Sequence, residues 1–244
     1  MVNKGSRAGE GAARRAGQDV HFPGDDGGEA AGIHGYLALP PLGHGRGVLV
    51  VQEWWGLVDH IREVCDRLAR EGFVALAPDL YHGERASNPD TAGRLMMELE
   101  IPRAERDLAA AAQALLGHQA VTGPRLGAIG FCMGGQLALF AATRNPRIGA
   151  VVDFYGIHPR VTLDFSQLQA AVLGLFAERD SFVPPDAARK LESDLRSAGR
   201  RVRIRIFSGV DHAFFNDTRP DVYDAAAAAA AWADTLAFLR QELG

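Results

Sequence analysis

A cysteine stands in this sequence where strand-to-helix turns of the type G-x-S-x-G carry a nucleophilic serine: Gly130-Phe131-Cys132-Met133-Gly134-Gly135. The spacing has a physical reason. So tight a turn forces its central residue into a strained backbone conformation, and glycines two positions to either side remove side chains that would collide. The sulfur is then held above the carboxyl edge of a sheet, where open strand–helix sheets bind ligands. The first N–H groups of the following helix, and the positive end of its dipole, point at the sulfur and favour thiolate, the reactive form. Taken alone, a buried thiol in a Gly-rich turn accounts for the hexapeptide equally well.

A thiolate nucleophile needs a base, and the base needs an acid to fix its tautomer and stabilise its charge. Asp180 follows the apolar segment Ala171–Phe176 through Ala177-Glu178-Arg179, and His212 follows Val202–Phe207 through Ser208-Gly209-Val210-Asp211. Both positions are strand ends, in the chain order nucleophile, acid, histidine. Each has a rival. Asp180 is also placed to cap a helix introduced by Pro184-Pro185, and Glu178 is a second acid two residues earlier. Of the other histidines, His21, His34, His44 and His118 fall in edge segments or polar loops, and His60 in the first turn of a helix. His82 and His158 follow strands and are placed to line a cleft.

Glu53, in Gln52-Glu53-Trp54-Trp55-Gly56, comes directly after the strand Val48–Val51. A carboxylate there is unexpected, because like charge raises a thiol pKa. The same place supplies the second oxyanion-hole amide in such folds, so the hole is expected from the backbone N–H groups of Met133 and Trp54. A thioester intermediate suits esters and lactones better than amides, since an amine leaves poorly against a thiolate. No clustered metal-ligand set is visible and no cofactor is required.

The elements that must position these residues alternate. Gly47–Val51, Phe73–Ala77, Leu126–Gly130, Ala150–Phe154, Ala171–Phe176 and Val202–Phe207 read as strands. Helices are expected over Val58–Glu71, Thr91–Leu99, from Pro102, from Cys132 to about Thr143, over Ala187–Ser197 and from about Pro220 to Glu242. Gly32–Leu39 pairs with Asp19–Phe22 as an opening hairpin, with its turn in Gly24-Asp25-Asp26-Gly27. This pattern, with the elbow, predicts an α/β-hydrolase fold: a mostly parallel central sheet with helices on both faces. Residues 1–18 are small, polar and rich in Gly, Ala and Arg, and are expected to be a disordered tail before one domain over 19–244.

Composition agrees with a globular enzyme. The 244 residues are 47% hydrophobic and 23% charged, with a net charge of −4. There is no basic stripe for nucleic acid, no basic amphipathic helix for a membrane surface and no apolar run that spans a bilayer. Two unpaired cysteines, Cys65 and Cys132, suit a reducing cytoplasm. A thiol redox protein or a non-catalytic binding module on the same fold are the competing readings. The first lacks a resolving cysteine near Cys132, and the second leaves a complete triad unexplained. The expected partner is a small ester or lactone, with the chain a monomer or weak homo-oligomer.

The segments Gln52–Gly56, Ala77-Pro78-Asp79-Leu80-Tyr81, Gly130–Gly135, Glu178-Arg179-Asp180 and Asp211-His212-Ala213-Phe214 resemble the dienelactone hydrolase family, the carboxymethylenebutenolidases. The resemblance implies that Cys132 rests as a thiol held by Glu53. Substrate displaces the carboxylate, which takes the thiol proton, and the thiolate, paired with His212, attacks the lactone carbonyl. Two arginines that grip the dienelactone carboxylate in the family are replaced here by Gly83 and Asn216, with Arg85 and Arg219 nearby but out of register. Trp54, Trp55, Tyr81, Phe214 and Phe215 point to a larger apolar cleft. Trp55, Tyr81, Arg85, Phe214 and Asn216 are the expected substrate contacts.

Overall fold

The computed structural model describes residues 17–24 and 32–244. Strands β1 (Gly17–Phe22) and β2 (Ile33–Ala38) open the chain as an antiparallel pair. Then come β3 (Arg46–Val51), α1 (Asp59–Arg70), β4 (Phe73–Pro78), α2 (Pro89–Glu98), α3 (Ile101–Gly117) and β5 (Leu126–Phe131). They are followed by α4 (Met133–Arg144), β6 (Ile148–Phe154), β7 (Ala171–Ala177), α5 (Pro185–Ser197), β8 (Val202–Phe207) and α6 (Ala225–Leu243). The eight strands form one sheet in the order β1-β2-β4-β3-β5-β6-β7-β8. β2 runs antiparallel to β1 and β4, and all other pairings are parallel.

Every residue of β5, β6 and β7 is buried, which is why these strands read as unbroken apolar runs. Two cores cover the faces. One joins Ile61 and Leu68 of α1 to Ala231 and Leu239 of α6; the other joins Leu95 of α2, Leu108 and Leu115 of α3, and Leu137 of α4. The edge strand β8 alternates instead, with Arg203 and Arg205 exposed and reaching Asp234 of α6. Charged side chains on an edge discourage pairing with another sheet.

The α/β-hydrolase architecture is thus as the alternation predicts. β1 takes in Gly17 and Gln18, two residues before the strand expected at Asp19. The rest of the expected tail, and residues 25–31 of the hairpin connection, lie outside the described residues. The last helix begins at Ala225 rather than near Pro220, because Asp224 is its cap: the carboxylate accepts the Ala227 N–H at 2.8 Å. Among the described residues, no helix is long and apolar enough to cross a membrane.

Candidate active site

The carboxyl ends of five neighbouring strands meet at one edge: β3 delivers Glu53, β5 Cys132, β6 Tyr155, β7 Asp180 and β8 His212. Cys132 sits between β5 and α4 with φ 53° and ψ −126°. That is a strained conformation for a residue with a side chain, and one that clusters at functional sites. The neighbouring glycines permit it: at Gly134 a side chain would meet the Val51 and Gln52 carbonyls at 2.4 Å, and at Gly130 it would meet the Gly134 carbonyl at 1.8 Å. The turn is pinned by Cys132 N–H to the Phe154 carbonyl (3.0 Å) and by the Gly135 and Ile157 N–H groups to the Cys132 carbonyl (2.9 and 3.2 Å). Met133 opens α4, so its N–H has no acceptor within the helix.

The His212 ring joins the loop after β8 to the loop after β7. Its Nδ1 is 2.7 Å from Asp180 Oδ2. Asp180 Oδ1 meanwhile accepts the N–H groups of Phe182 and Val183, both at 2.8 Å, so this carboxylate holds its own loop as well as the imidazole. Burial disfavours the imidazolium, but hydrogen bonds to Asp180 and Cys132, with the charges of both, outweigh it and push the His212 pKa up to about 10. With Nδ1 on Asp180, Nε2 is the nitrogen left for the sulfur. Glu178 is exposed and accepts the Gly209 N–H at 2.7 Å. It supports the loop, and of the two acids it is Asp180 that contacts His212.

Glu53 is almost wholly buried, and its Oε2 accepts from Asn216 Nδ2 at 2.7 Å. Asn216 is itself fixed by Thr218, whose Oγ1 donates to Asn216 Oδ1 at 2.6 Å. Among the described residues Glu53 Oε1 has no hydrogen-bond partner, so the contact with the thiol implied by the family resemblance is not formed in this arrangement. The Tyr155 hydroxyl lies close enough to feel Glu53 without completing a well-shaped hydrogen bond. Burial first, and then the charges of Glu53 and Cys132, hold that hydroxyl far above the usual phenol range. Tyr155 has φ 43° and its ring packs 4.9 Å from that of His212.

A cavity of about 230 Å³ opens over the sulfur, lined by Glu53, Trp54, Trp55, Pro89, Met96, Cys132, Ile157, Phe182, His212, Ala213 and Arg219. Of the expected substrate contacts, only Trp55 lines it. Asn216 is buried behind Glu53. Phe214 is core, packed on Tyr155 and Phe207, and the Tyr81 hydroxyl donates to Met133 Sδ at 3.2 Å. Arg85 is exposed outside the cavity. His82 and His158 also stay out: His82 pairs with Asp107 at 2.8 Å and His158 is buried beside Gln136. The sequence reading missed Tyr155, Phe182, Met96 and Ile157. Tyr155 carried a usable signal, since it directly follows the apolar strand β6. Phe182 and Met96 carried none, as nothing local brings a loop and a helix to the same sulfur.

The family model for the dienelactone hydrolase family matches residues 33–243. A protein of Aquifex pyrophilus named protein usf is 39% identical over 218 residues, covering 86% of this chain and 94% of its own. A protein of Aquifex aeolicus named provisionally as a carboxymethylenebutenolidase is 37% identical over 218 residues, with the same coverage. The crystal structure of a Klebsiella pneumoniae protein described provisionally as a dienelactone hydrolase superposes with a TM-score of 0.80 at 30% identity, over 93% of this chain and 99% of the other. With the elbow, the acid and the histidine on the matched strands, the chain belongs to the dienelactone hydrolase family.

Proposed function

We propose that this protein hydrolyses an ester or lactone through an acyl-thioester on Cys132. The observation that carries the reading is the His212–Asp180 contact of 2.7 Å, with the imidazole and the strained elbow cysteine lining one cavity. The thiolate attacks the substrate carbonyl, forming a C–S bond and an oxyanion received by the N–H groups of Met133 and Trp54. Collapse breaks the C–O bond and His212 protonates the departing oxygen. Water, giving its proton to His212, then attacks the thioester, breaks the C–S bond and frees the carboxylic acid. Glu53, held on one oxygen by Asn216 with the other unpartnered, takes the thiol proton as substrate enters and returns it to the sulfur when the acid leaves, so that His212 starts and ends each cycle as the imidazolium.

The cavity also speaks to the substrate. Trp54, Trp55, Met96, Ile157 and Phe182 make it apolar, and Arg219 is the cation on its wall. Arg219, rather than Arg85, takes the place of the family's carboxylate grip, so a substrate with an apolar body and one anionic group fits best. Cys132→Ala is expected to abolish hydrolysis of aryl esters and dienelactones while the circular dichroism spectrum stays that of the wild type. Turnover at the wild-type rate in that variant rejects the mechanism.

A further inference from the structure

Asp153 has no part in the chemistry above, yet it is buried directly beneath the elbow, with only 1% of its surface exposed. Its register partners are Gly130 on β5 and Gly174 on β7, so no neighbouring strand offers it a side chain. The carboxyl fills the space left against the first turn of α4. A side chain at either Gly135 or Gly156 would stand 2.1 Å from Asp153 Oδ1. Among the described residues neither oxygen finds a well-shaped hydrogen bond, and the Gly156 backbone gives only partial relief. Burial therefore pushes this acid up to about 7.

We propose that Asp153 is a positioning residue that sets the electrostatic potential of the elbow. When it is neutral, the N-terminal end of α4 is free to hold the Cys132 thiolate and the oxyanion. When it is ionised, its charge competes for that same helix end and raises the thiol pKa. This rests on the reading of Cys132 as nucleophile. The groups facing Asp153 do not supply an alternative. The elbow presents the backbone at Gly135, and α4 presents the uncharged Gln136. The segment after β6 presents Gly156 and Ile157, and the titratable groups it carries on either side are Tyr155, held neutral by burial, and His158, whose pKa burial and Arg160 lower. Lys190 and Asp194 of α5 border the same hollow of about 410 Å³ behind α4, and they pair with each other at 2.7 Å.

Asp153→Asn keeps the shape and removes the charge at every pH. The readout is the pH dependence of Cys132 alkylation by iodoacetamide, followed by peptide mass spectrometry to separate it from the buried Cys65. The midpoint is expected to fall by about half to one pH unit in the variant. In parallel, kcat/KM above neutral pH is expected to rise several-fold over wild type and to converge with it in acid. A residue that only fills space would shift the melting temperature and leave both profiles unchanged, and that result overturns the proposal. Should the alkylation midpoint move while kcat/KM does not, the assignment of Cys132 as nucleophile fails and the coupling stands. Asp153→Ser repeats the test if the asparagine variant folds poorly. Wild type supplies a third measurement: an infrared band of a buried carboxylic acid that disappears as pH rises through neutrality. Its absence in acid also overturns the proposal.

Discussion

Both oxygens of Asp180 are occupied, one by the His212 ring and one by two backbone N–H groups of its own loop. Its replacement is therefore expected to act on the His212 ring and on the loop together. Asp180→Asn is expected to lower kcat by about 10²–10⁴-fold, as expected when an imidazole loses its orienting acid. The same pair predicts a pH effect on stability. The folded His212 pKa, about 10, lies above the ordinary value of roughly 6.5. Its stabilisation is therefore fully present below about pH 6.5 and is lost as pH rises through about 10. Calorimetric melts should show wild type losing more stability than His212→Gln between neutral pH and pH 10. Parallel curves would contradict the assignment. Asn216 gives a third expectation. Removing its amide strands a buried carboxylate, so Asn216→Ala should cost about 1–3 kcal/mol in urea unfolding and weaken the hold on Glu53.

At the scale of elements, the informative segments are those whose ends the sequence misplaced. Pro220 suits a first helical turn, but Asp224 is extended and its carboxylate takes the Ala227 N–H, which fixes the start of α6. Asp224→Ala is expected to destabilise the fold by about 1 kcal/mol, read as a shift in urea midpoint without a change in slope. By contrast α3, begun by Ile101-Pro102, and β5, ended at the elbow, were legible from local chemistry: proline favours a first turn, and glycine permits the tight exit. Cys132, at φ 53°, is the cap of α4 rather than its first residue, a distinction that periodicity does not carry.

At the scale of the whole molecule, the cavity is assembled from segments far apart in the chain. Phe182, 56% exposed, stands at its mouth with its ring 5.1 Å from His212 and 6.3 Å from Trp54. Phe182→Ala should widen the mouth and raise kcat/KM for bulky aryl esters relative to acetyl esters. A uniform change across an ester series would show that the ring does not gate size. The sheet, the order of Cys132, Asp180 and His212 along the chain, and the strand ends that carry them were legible before any tertiary contact, because those follow from local periodicity, glycine geometry and motif spacing. It took long-range packing to bring Asp180 rather than Glu178 to His212, Asn216 to Glu53 and Arg219 rather than Arg85 to the cavity, and to leave Asp153 unpaired among the described residues under the elbow. Those outcomes depend on which side chains converge from different strands and loops, and on which polar atoms lose water when they do.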